Sequence, residues 1–292
     1  MSESRTVSEL RRLGERVLAD STHIFEDHDT DNEAAELMAF VLDVDPDDVE
    51  DDERLSKRDA DRYLALVARR AAGAPFPVLV GRIEFYGLEL KVWPGSFVPR
   101  PSSELVVDRA VRRLKRMEDP VVVDICTGAG PIALAIADEI TDAQVHAMDI
   151  QEEGLAQGRK NARSLEIPNV TFKRGDMYDG LPQDLRGGVD VITAHVPYVP
   201  IDELDDLPAE VREHEPLFTL TDESDDGLFL MRRAILEAPE WLKPGGWLLL
   251  EVSDDLIPKL QALCTEAGLE NKGAASDDDG LSVVVEARKS RR

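Results

Sequence analysis

Apolar residues at helical spacing dominate the N-terminal part of the chain. Over residues 7–18 they recur every three or four positions, which predicts an amphipathic helix. Residues 30–33, Thr-Asp-Asn-Glu, form a capping-box pattern that predicts the start of a second helix running to residue 42. Residues 56–59, Ser-Lys-Arg-Asp, precede a third helical pattern in the same way. We therefore expect a small helical domain over residues 1–72.

The pattern changes to alternation between residues 76 and 98, with Gly81 and Gly87 as breaks. Alternation of apolar and polar residues is typical of strands that are buried on one face. It predicts a β-hairpin, which we expect to form a linker over residues 73–97. No run of about 18 apolar residues occurs in the sequence, so no membrane-spanning helix is expected.

Short apolar runs alternate with longer amphipathic patterns from about residue 103 onward. Such alternation predicts an α/β domain with a doubly wound, mostly parallel sheet. We expect this domain to span residues 98–292. The predicted strands are 121–125, 144–149, 170–174, 189–194, 247–252 and 281–286, and the predicted helices lie near 131–139, 153–165, 227–240 and 255–267.

The chain of 292 residues is strongly acidic, with 60 Asp and Glu against 34 Lys and Arg and a formal net charge of -26. Such a surface repels phosphate backbones, so we expect no direct nucleic-acid binding. The excess of acidic residues either keeps the protein in solution or attracts a cationic partner. Two cysteines within apolar patterns, and an N-terminus that lacks the pattern of a signal peptide, lead us to expect a cytoplasmic protein.

Candidate ligand-binding residues lie at the ends of three successive predicted strands. Residues 124–130, Asp-Ile-Cys-Thr-Gly-Ala-Gly, form a small-residue turn where backbone N–H groups can approach a ligand. Asp149 can accept both hydroxyls of a ribose, and Asp176 with Met177 can contact an adenine edge. The Gly-x-Gly-x-x-Gly pattern is absent, and Pro131 removes an N–H that a pyrophosphate would bind. S-adenosylmethionine therefore fits better than a nicotinamide cofactor.

The strand predicted at 189–194 runs directly into residues 195–198, His-Val-Pro-Tyr. This tetrad resembles the Asn-Pro-Pro-Tyr loop with which amino-methyltransferases hold a planar nitrogen. Segments in order along nearly the whole chain likewise resemble the HemK/PrmC family of glutamine N5-methyltransferases. They are Arg-Arg-Ala-Ala-Gly-Ala-Pro at 69–75, the hairpin at 81–88, Val-Pro-Arg-Pro-Ser-Ser-Glu at 98–104, the turn at 123–130, Glu-His-Glu-Pro at 213–216 and Asp-Asp-Gly-Leu at 225–228.

The resemblance implies a class I, Rossmann-like methyltransferase with a seven-stranded sheet, S-adenosylmethionine as cofactor and no metal. It also implies that the helical domain recognises a protein substrate, a peptide-chain release factor methylated on a glutamine. The expected catalytic residues are His195, Pro197 and Tyr198. The expected cofactor-binding residues are Arg100, Pro101, Asp124, Thr127, Gly128, Ala129, Gly130, Asp149, Ile150, Asp176, Met177 and His195.

The chain departs from the family pattern at Cys126, in place of a glycine, at Val196, in place of a proline, and at His195, in place of an asparagine. A neutral imidazole offers one acceptor nitrogen, and only in one tautomer, so it cannot fully replace the side-chain amide of asparagine. Three hypotheses for His195 follow. It accepts one N–H of a glutamine amide, or it is a general base for a hydroxyl, carboxyl or amine of another substrate, or it belongs to a protein that binds the cofactor without turnover.

Overall fold

The computed structural model describes residues 5–24, 29–95, 97–277 and 283–291. The chain divides into two compact units, Met1–Arg82 with Asp205–Glu215, and Ile83–Leu204 with Pro216–Arg292. None of the helices in the described ranges is both long enough and apolar enough to cross a membrane.

The secondary structure follows the chain from a helical first part to an alternating second part. The helices are α1 (Val7–Ala19), α2 (Thr30–Leu42), α3 (Lys57–Ala71), α4 (Phe76–Val80), α5 (Glu104–Leu114), α6 (Pro131–Glu139), α7 (Glu152–Ser164), α8 (Ala209–His214), α9 (Phe229–Trp241) and α10 (Ile257–Glu266). The strands are β1 (Arg82–Phe85), β2 (Leu88–Lys91), β3 (Val121–Ile125), β4 (Gln144–Asp149), β5 (Val170–Arg174), β6 (Val189–Ala194), β7 (Leu242–Val252), β8 (Leu269–Ser276) and β9 (Val283–Lys289).

The first unit packs α1, α2 and α3 around a small apolar core. Leu10, Leu37 and Tyr63 lie in this core and are almost fully buried. Gly14 permits the contact between α1 and α3, because a β-carbon there would lie 2.1 Å from the Tyr63 hydroxyl oxygen. The glycine within the predicted helix therefore serves close packing.

The start of α2 corrects one prediction. Asp29, rather than Thr30, caps the helix, since its side chain accepts a hydrogen bond of 3.1 Å from the backbone N–H of Asn32. Glu33 is consequently free of the capping role and lies inside the first turn. Its carboxylate receives two hydrogen bonds, of 2.6 and 2.9 Å, from the buried guanidinium of Arg70.

The hairpin is shorter than the alternating pattern predicted. Residues 76–80 form the short helix α4, whose Leu79 is buried in the core of the first unit. Pro77 is tolerated in the first helical turn, and Gly81 ends the helix in the left-handed conformation. The hairpin itself turns at Tyr86 and Gly87, which both have positive φ angles, as a tight turn between two strands requires.

The second unit contains the predicted doubly wound sheet, with seven strands in the order β5-β4-β3-β6-β7-β9-β8. The first five are parallel, while β9 is antiparallel to both of its neighbours. Strands β3 to β6 have the predicted bounds. The strand predicted at 247–252 begins earlier, at Leu242, and that predicted at 281–286 is β9, with residues 281 and 282 outside the described ranges.

Alternate residues of the central strands face two apolar layers. Val123 and Ile125 pack in the layer that contains α9 and α10. Val122 packs on the other face, in the layer that contains α5, α6 and α7. The helix α5 and the edge strand β8 were not among the predicted elements. Burial on both faces explains the continuous apolar runs of the central strands, and the fold is the α/β class predicted.

Candidate active site

The register of the parallel strands brings the predicted site residues to one edge of the sheet. Ile125 at the end of β3 pairs with Met148 of β4 and with Ala194 of β6. The turn after β3, the carboxylate of Asp149 and the loop that starts at His195 therefore begin side by side. Ligands of open α/β sheets bind at this carboxyl edge.

The turn after β3 is held by backbone hydrogen bonds and by one carboxylate. The N–H of Thr127 donates to the carbonyl of Met148 at 3.0 Å, and the N–H of Gly128 donates to Asp149 Oδ2 at 2.8 Å. Gly130 has a φ angle of 77°, and a β-carbon there would lie 2.4 Å from the Phe172 ring. Only glycine fits at residue 130, where the turn enters α6.

Asp124 is buried at the base of the turn. Its carboxylate accepts hydrogen bonds from the hydroxyls of Thr127, at 2.5 Å, and Thr193, at 2.6 Å. Thr193 is the register partner of Asp124 on β6, which explains their proximity. Burial raises the pKa of Asp124 to about 6, although both hydroxyl bonds favour the charged form. A cation that bound beside this carboxylate would stabilise its ionised state.

Asp149 and Asp176 extend the acidic edge along the sheet. Asp149 Oδ2 accepts from Gly128 and its Oδ1 accepts from the N–H of Gln151, each at 2.8 Å, while burial raises its pKa. Each of these oxygens has a second lone pair, so the carboxylate can still accept two hydroxyls. Asp176 Oδ1 is oriented by Arg233, whose guanidinium donates at 2.8 Å.

Two non-glycine residues at this edge adopt left-handed backbone conformations, Cys126 with φ 54° and Met177 with φ 54°. Their sulfur atoms are 3.8 Å apart. Burial raises the pKa of the Cys126 thiol well above its usual range, so the thiol stays protonated. Backbone strain at residues of this kind costs free energy and concentrates at functional sites. Both residues line the cavity described below.

The loop after β6 presents His195 beside a buried carboxylate. His195 Nδ1 lies 3.2 Å from Glu251 Oε2 and 3.4 Å from Ser103 Oγ. The ring also meets Phe97 edge-on, with 5.5 Å between ring centroids, and the Tyr198 ring at 6.1 Å. Burial raises the pKa of Tyr198 to about 12, so its phenol remains neutral.

A cavity of about 400 Å³ connects these groups within the second unit. Most of the predicted site residues line it. They are Arg100, Asp124, Thr127, Gly128, Ala129, Asp149, Ile150, Asp176, Met177, His195 and Pro197. The other predicted residues lie nearby in the chain but outside the lining: Pro101 starts a short turn before α5, Gly130 caps α6, and the Tyr198 ring lies 6.1 Å from that of His195.

Sequence reasoning missed several residues of the site. Phe97, Phe218, Thr219 and Leu230 line the cavity from loops and helix ends that carry no local motif, and Ser103 lines it from the family-like segment at 98–104. Glu251, next to His195, was also missed: the structure pairs Ala194 with Leu250, two residues before the predicted strand end at 252, so aligning the predicted ends would not have made residues 195 and 251 neighbours.

The lining suits a cationic ligand without phosphates. Four carboxylates, those of Asp124, Asp149, Glu153 and Asp176, face the cavity, and Arg100 is the one Lys or Arg among its described lining residues. Ile132, Ile150 and Met177 add apolar walls for an aromatic base. An adenosyl group with a sulfonium and an ammonium group matches both features. No group of three or more His, Cys, Asp and Glu side chains in the described ranges is arranged to hold a metal ion.

Comparison with known proteins agrees with this geometry. Residues 117–287 match the family described as methyltransferase domain, and residues 9–81 match the family described as PrmC N-terminal domain. A crystal structure of a methyltransferase from Pyrococcus furiosus superposes with a TM-score of 0.50 at 20% identity, covering 70% of this chain and 90% of that chain. The fold and the site together define a class I, S-adenosylmethionine-dependent methyltransferase.

Sequence relatives identify the family within this class of methyltransferases. The release factor glutamine methyltransferase of Streptomyces coelicolor is 40% identical over 195 residues, which cover 66% of this chain and 68% of that protein. The protein of the same name from Burkholderia pseudomallei is 36% identical over 231 residues, covering 77% and 80%. The chain belongs to the HemK/PrmC family. The predicted family, fold class and cofactor are thereby confirmed.

Proposed function

We propose that this enzyme transfers the methyl group of S-adenosylmethionine to the side-chain amide nitrogen of a glutamine in a peptide-chain release factor. The names of the relatives from Streptomyces coelicolor and Burkholderia pseudomallei support the substrate. The match of residues 9–81 to a PrmC N-terminal domain supports recognition of a protein, and we assign that role to the helical domain over residues 1–72.

The observation that carries the proposal is the position of His195. Its imidazole lines the same cavity as Asp124, Asp149 and Asp176, so an acceptor held by His195 would lie next to the cofactor. An amide nitrogen is a poor nucleophile because its lone pair is delocalised. A hydrogen-bond acceptor that holds one of its hydrogens can orient the nitrogen in line with the sulfonium methyl group, and such positioning lowers the barrier.

Apolar residues around His195 suit a flat side-chain amide. Pro197, Phe218 and Leu230 line the cavity together with the imidazole, and Phe97 packs edge-on against it. In this proposal the plane of the amide lies against Pro197, and the Tyr198 ring packs near the imidazole and supports its position. Arg100, whose guanidinium stacks on Phe97 at 4.7 Å, holds that ring in place.

Labelled methyl transfer tests the proposal. The purified enzyme, labelled S-adenosylmethionine and purified release factors should give a methylated glutamine, located by mass spectrometry. The His195→Asn variant should stay within about tenfold of the parent, because an amide oxygen also accepts the N–H, and His195→Ala should lose more. His146→Asn is the matched control, since His146 lies in β4 outside the cavity lining. Absence of label from every release factor would reject the proposal.

A second candidate is transfer to a hydroxyl, carboxyl or amine with His195 as general base. Glu251 favours it, because a carboxylate 3.2 Å from Nδ1 would also stabilise a ring that takes up a proton at Nε2. The His195→Asn variant separates the two candidates. A base cannot be replaced by an amide, so the variant would lose activity by a factor on the order of 100 or more.

A further inference from the structure

Glu251 and His195 are neighbours because of the sheet register. Ala194 at the end of β6 pairs with Leu250 of β7, so the next residue of each chain segment, His195 and Glu251, lie side by side at the carboxyl edge. Glu251 does not line the cavity, whereas His195 does. The carboxylate therefore contacts the imidazole at Nδ1 without being part of the cavity wall.

The two oxygens of Glu251 have different surroundings. The side chain is only 5% exposed. Oε1 accepts a hydrogen bond of 3.1 Å from the hydroxyl of Ser102. Oε2 lies 3.2 Å from His195 Nδ1 but has no aligned hydrogen bond among the described residues. A buried carboxylate oxygen is strongly driven to obtain a donor, and a small rotation of the imidazole would supply the N–H of Nδ1.

We propose that Glu251 is a positioning residue that keeps the hydrogen of His195 on Nδ1. A carboxylate oxygen beside a ring nitrogen is favourable when that nitrogen carries hydrogen and repulsive when it carries a lone pair. The neutral imidazole then has its lone pair on Nε2, the nitrogen left for the cavity. This inference rests on the proposed function, in which that lone pair accepts one hydrogen of the substrate amide. Without Glu251, the ring could present an N–H there, which an amide N–H cannot use.

Glu251→Gln is the direct test, because it replaces the carboxylate by a neutral amide of similar size. The Ser102 hydroxyl can donate to an amide oxygen or accept from an amide NH₂ at the Oε1 position, so the amide can present either group to His195. The hydrogen is then no longer held on Nδ1, and part of it moves to Nε2. We expect kcat to fall about threefold or more while the cofactor Kd changes less than about twofold.

Imidazole ¹⁵N chemical shifts at alkaline pH report the tautomer directly, with the His195→Asn variant identifying the signals of residue 195. The parent should carry hydrogen on Nδ1, and Glu251→Gln should show part of it on Nε2. In a His195→Asn background, which has no tautomer, Glu251→Gln should change kcat less than about twofold. Glu286→Gln is the matched control, since Glu286 is also buried on the sheet but is bonded to Arg109 and Arg113. It should leave the tautomer unchanged.

Two results would overturn the inference: a parent whose hydrogen is on Nε2, or an equal loss of kcat on Glu251→Gln with and without His195. The parent spectrum decides the first point even if Glu251→Gln fails to fold. Failure of the proposed function is distinguishable, because it would remove methylation of release factors from the parent and leave the tautomer measurements intact.

Discussion

The backbone carbonyl oxygen of Tyr198 lies against Gly227, where a β-carbon on residue 227 would approach it to 2.1 Å. Gly227 also has a φ angle of 62°, which favours glycine. The segment before α9 therefore sets the position of the loop that carries His195 and Tyr198. The atoms of Tyr198 that lie nearest to this position belong to the backbone, so a side-chain rotation could not make room for a β-carbon on residue 227.

Gly227→Ala should displace this loop and lower kcat by a factor of about 100, since a shift of about 1 Å at an active site can cost that much. Cofactor affinity should fall by much less, because Asp149 and the turn after β3 lie on other strands. Gly268→Ala is the control: Gly268 has a φ angle of 76° but no atom within 4 Å of its β-carbon position. Equal kcat values for the two variants would show that the loop does not depend on Gly227.

Asp149→Asn should weaken binding of the demethylated cofactor by about tenfold or more. The carboxylate accepts two backbone N–H groups and still has lone pairs for two hydroxyls, whereas an amide turns one of these acceptors into a donor. Isothermal titration calorimetry on parent and variant measures the difference. Asp142→Asn, at an exposed acidic residue before β4, serves as the control and should bind as the parent does. Unchanged affinity of Asp149→Asn would place the ribose elsewhere.

Asp124 makes stability depend on pH. Its pKa in the folded protein is about 6, against an ordinary value of 3.8, because it is buried. The folded state therefore holds this proton more tightly than the unfolded state, and the stabilisation from protonation is present at low pH. It is lost as the pH rises from about 4 to about 6, by about 3 kcal/mol for a shift of about two units.

Asp124→Asn removes this titration. The difference in free energy of unfolding between parent and variant, measured by denaturant titration without cofactor, should change in favour of the variant as the pH rises from about 4 to about 6. Groups that do not interact with Asp124 titrate equally in both proteins and cancel in the difference. Parallel curves for the two proteins across this interval would show that Asp124 is not buried as described.

Arg70→Met should destabilise the first unit by about 3 kcal/mol or more, because removing one partner leaves buried charge behind. The Arg70 side chain is fully buried and contacts Glu33, Glu210 at 3.0 Å, and the carbonyl of Ala74 at 3.2 Å. Arg58→Met, at an exposed position on the same helix, is the control and should change stability little. Thermal unfolding of both variants checks the difference; similar midpoints would contradict the buried cluster.

The elements that the sequence predicted well are those with strong local patterns. Strands β3 and β6 are near-continuous apolar runs, because both faces of the central parallel strands are covered, whereas β4 and the edge strand β5 alternate apolar and polar residues. The missed elements lack such patterns. The edge strand β8, Leu-Glu-Asn-Lys-Gly-Ala-Ala-Ser, is largely exposed. No side chain caps the start of α5, and α4 has five residues, too few to show helical periodicity.

The residues of the site also fall into those that the sequence could predict and those that it could not. Asp124, Asp149 and Asp176 were predictable, because each lies at or just beyond the carboxyl end of a predicted strand, and these strand ends meet at one edge. Phe97 and Phe218 reach the cavity from loops whose course depends on tertiary packing. Glu251 is an intermediate case, since its partner is set by strand pairing that a sequence pattern suggests but does not fix.

The most direct test of the central claim is a crystal structure of the enzyme with the demethylated cofactor. We expect the ribose hydroxyls on Asp149, the adenine beside Asp176 and Met177, and the sulfur atom facing the cavity wall formed by His195 and Pro197. A ligand bound away from Asp149, or with its sulfur atom directed away from His195, would contradict the assignment of this cavity.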